Sequence, residues 1–123
     1  MLTTAAYGLT VLLALGIIVI GLRFILAPVA AAAAYGVPFR GDGGRAYLPV
    51  KGVRDLTYGL IGLVLLAVGG AHILGWFMVV AAVVPAGDTV IVLRHGGTKA
   101  VAFGIHFATA LAMLIASALL FAV

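Results

Sequence analysis

Long apolar runs alternate along the chain with short polar interruptions, and the interruptions mark where elements begin and end. Positions 3–26 hold a single charge, Arg23, and about 24 residues of helix cross a ~30 Å hydrocarbon core with some tilt. Pro28 ends or bends that run, and Ala30 to Ala34 can add a short helical turn before Tyr35-Gly36-Val37-Pro38. From there to Val50 the chain reads as a loop, with Gly41-Asp42-Gly43-Gly44 as a turn and Pro49 as its close. The apolar pattern resumes at Gly52. Gly69-Gly70 and Gly96-Gly97 then cut what remains into three stretches. The pattern predicts four helices, over about 3–26, 52–69, 71–94 and 98–121, with one long loop over about 27–51. A loop of that length in so small a chain suits a lid or a binding loop.

Small residues repeat within these helices. Gly59, Gly62 and Gly69 follow Asp55 on one helical face, which suits close packing on a neighbour. Asp55 stands in the first turn expected for the second helix, where the helix dipole favours a carboxylate, and Lys51 lies four residues before it, within pairing distance. Pro85-Ala86-Gly87-Asp88 interrupts the third helix and leaves Asp88 deep in an apolar run. In the fourth, Gly104, Ala108, Ala112 and Ala116 form a seam for close packing, with His106 beside it.

Composition turns four apolar helices into a membrane protein. Hydrophobic residues make up 66% of the chain and charged residues 8%, with mean hydropathy +1.37, against about 25% charged in a soluble domain. The expected fold is all-α, an integral membrane four-helix bundle in one domain. The first span lacks a basic leader and carries Arg23 near its end, so it reads as a retained helix and not a cleaved signal. The net charge of +4 comes from seven basic residues that form no run, which argues against a nucleic-acid partner. Those seven, Arg23, Arg40, Arg45, Lys51, Arg54, Arg94 and Lys99, all fall at one end of the predicted bundle. By the positive-inside rule that end is cytoplasmic and both termini are on the non-cytoplasmic side, as in a bacterial inner membrane. With no cysteine, disulfides and thiolate catalysis are excluded.

Ionisable groups inside a span are costly and usually face the bundle interior. Asp55 and Asp88 end up on the same side, and Arg54 or Arg23 between them makes an Asp-Arg-Asp set, with His106 and Tyr58 close by. One buried carboxyl can then donate a proton while the other, kept ionised by arginine, activates water. Opening an epoxide needs both functions, and a proton-shift isomerisation needs the same parts without water. Catalytic roles fall to Asp55, Asp88 and Arg54, and substrate contacts to Arg23, His106 and Tyr58. The bland alternatives are a buried ion-pair network that fixes helix register, and for Arg23 a snorkelling interface residue. Three histidines and three acidic residues without ligand spacing predict no metal and no cofactor.

Gly21-Leu22-Arg23-Phe24 with Pro28, Tyr35-Gly36-Val37-Pro38, Lys51-Gly52-Val53-Arg54-Asp55 and Gly87-Asp88 together resemble a largely uncharacterised family of small four-helix membrane proteins allied to the DoxX-like group. Some relatives of that family are similar to proteins described as membrane epoxide hydrolases. The resemblance implies an activity carried by Arg23, Arg54, Asp55 and Asp88. The expected function is therefore hydrolysis or isomerisation of a lipophilic small molecule, most directly an epoxide. A small proton-coupled transporter and a helper subunit of a larger membrane complex are the alternatives. The expected partners are that substrate, membrane lipid, and further copies of the chain in a homodimer or higher oligomer.

Overall fold

The computed structural model describes residues 1–41 and 43–123, and all regular structure among them is helical. Helix α1 spans Leu2–Leu26, α2 Pro28–Tyr35, α3 Tyr47–Val68, α4 Gly70–Ala81 and α5 Val83–Arg94. The final stretch is α6 Lys99–Val101, a π-helical segment Ala102–Phe107, and α7 Ala108–Phe121. Among the described residues, three stretches are long and apolar enough to cross a membrane: Leu2–Leu26, Gly70–Arg94 and Lys99–Phe121. The 22 residues of α3 carry Lys51, Arg54 and Asp55 in its early turns, leaving an uncharged run only from residue 56 to residue 68.

The molecule is inside-out relative to a water-soluble protein. Large apolar side chains face outward, among them Leu12, Val64, Val80 and Val83. The buried set is rich in alanine and includes the polar Thr10, Asp55, Thr89, His106 and Ser117. Lipid tails solvate leucine as readily as a protein core does, so helices here pack on small residues and satisfy polar groups internally. The chain is an integral membrane protein.

Helices α1 and α3 form the closest pair. Gly21 meets Gly52 and Leu56 backbone to backbone: a Cβ on Gly21 would stand 2.6 Å from the Gly52 carbonyl oxygen. Two turns beyond Gly52 on α3, a Cβ on Gly59 would stand 2.7 Å from the Ala14 carbonyl oxygen. The glycine face beside Asp55 is thus a contact face. Toward the chain termini, Ala6, Leu74, Met78 and Leu120 make the larger apolar core; toward the loops, Phe24, Ala31 and Ala32 make the smaller.

Two distortions open the half of the bundle that bears the loops. Pro85 has no N–H to offer Ala81, and its ring crowds that carbonyl, so the helix breaks at Ala82 between α4 and α5. Helix α4 remains packed on α3, whereas α5 leans onto the π-helical segment and barely touches α3. In that segment the Ala108 N–H reaches back five residues to the Phe103 carbonyl, which shifts the register of the helix faces. The expected seam is consequently split: Gly104 and Ala108 are exposed, while Ala102, His106, Ala110 and Ala116 are buried.

The region expected as a loop contains more helix than its composition implied. Pro28 opens α2 at a position where its missing N–H costs nothing, and Gly36 closes it at φ +104°. A Cβ on Gly36 would stand 2.8 Å from Val101 and 3.0 Å from Val92, and one on Gly97 2.7 Å from the Gly36 carbonyl. The end of α2 is thus wedged against the turn joining α5 and α6. Helix α3 begins at Tyr47 and not at Gly52, with Pro49 inside its first turn, where backbone N–H groups lack helical partners anyway. Asp55 therefore sits in the third turn, beyond the reach of the helix dipole. Gly41 and Gly44 take the positive φ of a turn; Asp42, part of the same expected turn, lies outside the described residues.

Gly21→Ala and Gly52→Ala should each lower stability in lipid by about 1–3 kcal/mol, the usual cost of overpacking. Gly16→Ala in the same α1, with nothing within 4 Å of the added methyl, should leave the unfolding midpoint unchanged or raise it. Thermal unfolding in nanodiscs checks all three.

Candidate functional site

The opened half of the bundle encloses a cavity of about 120 Å³. Its inner wall is apolar, built from Leu13, Ile17, Phe77, Met78 and Met113. Its polar wall brings together Tyr35, Lys51, Asp55, Tyr58, Asp88 and His106, from four separate elements.

Tyr35 links three of them. Its hydroxyl donates to Asp88 Oδ1 at 2.7 Å, and its backbone carbonyl accepts from His106 Nε2 at 2.7 Å. The Tyr35 and His106 rings lie 4.5 Å apart. The C-cap at Gly36 and its wedge against Val92 and Val101 aim this residue across the bundle. Helix α2 is too short to span a membrane. There, burial above all, and then the hydrogen bond to Asp88, push the Tyr35 phenol well above its ordinary range, so it stays a donor. His106 reaches the site from the π-helical segment, and π-bulges recur at functional sites. Its Nδ1 stands 3.9 Å from Asp88 Oδ2.

The second acid has a different partner. Lys51 Nζ donates to Asp55 Oδ2 at 2.6 Å, one turn apart on α3. The ammonium also lies 4.7 Å from the Phe24 ring centroid and 5.0 Å from that of Tyr35, so two aromatic faces and a carboxylate surround it. Asp55 is almost wholly buried, with 5% of its side chain exposed against 28% for Lys51. Such a pair holds a carboxylate in place at the edge of an apolar region, and removing one member strands the other.

Of the residues singled out in the sequence, Asp55, Asp88, His106 and Tyr58 line the cavity. Arg54 and Arg23 do not: both are exposed on the outer surface, and among the described residues no arginine lines the cavity with the carboxylates. The reason is helical phase. On α3, Lys51 and Asp55 share a face at i and i+4, and Arg54 falls off it. The Asp-Arg-Asp arrangement is replaced by Lys51–Asp55 on one side and Tyr35–Asp88–His106 on the other. Lys51 was legible as a partner through its spacing. Tyr35, in a stretch that reads as a turn, was not. Ser117 bonds the Gly75 carbonyl in the opposite half, and among the described residues no three metal-ligating side chains converge.

Lys51→Met should destabilise the protein by about 3 kcal/mol, the lower end for a broken buried pair. Arg54→Met should stay within about 0.5 kcal/mol of the parent. Unfolding in lipid checks this assignment of the cation. No curated protein and no solved structure matches the chain. A family model described as a domain of unknown function (DUF4267) matches residues 14–120, which takes in Tyr35, Lys51, Asp55, Asp88 and His106. That match agrees with the resemblance to a small uncharacterised membrane family and carries no link to epoxide hydrolases. The chain belongs to the DUF4267 family.

Proposed function

We propose that the protein is a membrane enzyme performing acid/base chemistry on a small lipophilic molecule, most directly the hydrolysis or isomerisation of an epoxide. One observation carries the reading: two carboxylates and a phenol face a single cavity whose remaining wall is apolar. A structural ion-pair network has no need of a cavity between its members. The lipophilic nature of the substrate follows from the wall. Ile20, Tyr58 and Ile105 line the cavity while remaining 41%, 39% and 47% exposed, on a surface that faces lipid. A molecule dissolved in the bilayer meets the cavity from the side.

In hydrolysis, Asp55, held by Lys51, takes a proton from the attacking water, and the Tyr35–Asp88 side gives one to the ring oxygen, so that epoxide and water become a diol. In isomerisation the same two sides remove and return one substrate proton. General acid and base contributions of this kind are worth about 10²–10⁴-fold each. Within this reading α3 is the fourth span of a four-helix bundle, its charged start shielded by α2. The basic end faces the cytoplasm and both termini face out.

A proton-coupled carrier is the second reading, favoured by the Asp88–His106 pair. It needs a polar path to both membrane faces, whereas past Met78 and Met113 the interior is closed by the Ala6–Leu74–Leu120 core. The cavity's polar groups all lie on the loop-bearing side of that core.

Purified protein in nanodiscs should convert lipophilic epoxides to diols carrying label from labelled water. Asp55→Asn and Asp88→Asn should each lower the rate at least about 100-fold while remaining folded. An absence of turnover on aliphatic, terpenoid and aryl epoxides alike, in hydrolysis and isomerisation, would overturn the reading.

A further inference from the structure

The His106 ring is fixed in one tautomer by its backbone partner. A carbonyl oxygen only accepts, so the 2.7 Å contact with the Tyr35 carbonyl requires the proton on Nε2. In a neutral ring this leaves Nδ1 as a bare lone pair, 3.9 Å from Asp88 Oδ2. Lone pair and carboxylate repel. The arrangement is stable when one further proton lies on one of the two groups, as imidazolium beside carboxylate or as neutral ring beside carboxyl. The other Asp88 oxygen accepts a hydrogen bond from the Tyr35 hydroxyl, and Tyr35 fronts the cavity.

We infer that Asp88 and His106 share one exchangeable proton, and that the Tyr35 hydroxyl is the group through which it reaches a ligand oxygen in the cavity. This deepens the function proposed above and rests on it for its purpose. The steps balance. Tyr35 passes its hydroxyl proton to the ligand oxygen, and its oxygen recovers one from Asp88. The Asp88–His106 pair is left one proton poorer, as carboxylate and neutral imidazole, until it is reloaded from the basic end of the bundle. The charged groups facing this assembly from across the cavity are Lys51 and Asp55, which neutralise each other at 2.6 Å and leave the shared proton to Asp88 and His106. Tyr35 is then the catalytic proton donor, Asp88 its conduit and His106 the positioning base that stores the charge. The ligand must present an oxygen able to accept a proton, such as an ether, epoxide or carbonyl oxygen on an otherwise apolar body.

The test is nitrogen NMR of histidine-labelled full-length protein in nanodiscs, with the His106 signals identified by their loss in His106→Gln. The expected spectrum has Nε2 of His106 protonated, and Nδ1 either protonated or in a strong hydrogen bond. Asp88→Asn should return Nδ1 to a bare ring nitrogen without moving the proton from Nε2. Tyr35→Phe, which keeps the backbone carbonyl, should leave Nε2 unchanged and shift Nδ1. The opposite tautomer, or an Nδ1 signal indifferent to Asp88→Asn, would overturn the shared proton; an Nδ1 signal indifferent to Tyr35→Phe would remove Tyr35 from the path. Turnover plays no part in this readout, so inactivity on epoxides would count against the proposed function and leave these outcomes as they stand.

Discussion

The break in the third apolar stretch is the constraint on which the site depends. Pro85 denies Ala81 its hydrogen bond and crowds its carbonyl, and α5 consequently leaves the face of α3 that α4 covers. With the break, one half packs on Ala6, Leu74, Met78 and Leu120, and the other half holds a cavity with ionisable walls. A second irregularity complements the first. The π-helical segment carries His106 at the level where α5 presents Asp88, and α2 wedges Tyr35 between them.

The energetic logic is that of a protein dissolved in lipid. Apolar burial between helices contributes little, so the α1–α3 pair is held by backbone approach at Gly21, Gly52 and Gly59. That tight pair is the rigid wall of the cavity. Against it stands the looser pair of α5 and the π-helical segment, and the polar groups bridge the two through Tyr35. Tyr35, Lys51, Asp55, Asp88 and His106 each have a partner in the cavity wall. Such partnering is what an apolar setting demands of groups meant to stay there.

Much of this was readable in the sequence, and what was not had physical causes. The apolar runs gave the ends of α1 and of the Gly70–Arg94 and Lys99–Phe121 stretches closely, because lipid imposes length and composition directly. Asp55, Asp88 and His106 stood out because charge in an apolar run is expensive. Arg54 was misjudged because a spacing of one residue along a helix is a rotation of about 100°, so the neighbour of Asp55 in sequence is not its neighbour in space. Tyr35 was hidden because α2 draws its importance from a tertiary contact, the wedge of Gly36 between Val92 and Val101. The π-helical segment was hidden for a similar reason: nothing in Ala102–Phe107 breaks a helix locally, and its register shift broke a small-residue seam that local spacing had made convincing.

The proposed chemistry requires that the cavity walled by Asp55, Asp88 and Tyr35 be reached from the bilayer. The most direct test of that access is photolabelling in nanodiscs with a small lipophilic diazirine, with labelled residues mapped by mass spectrometry. Carbene insertion is expected at Met78, which is 3% exposed, and at Met113, suppressed by excess unlabelled lipophile and by Ile105→Trp at the rim. Labelling confined to outward residues such as Leu12, Val64 and Leu114, with Met78 and Met113 untouched, would contradict it.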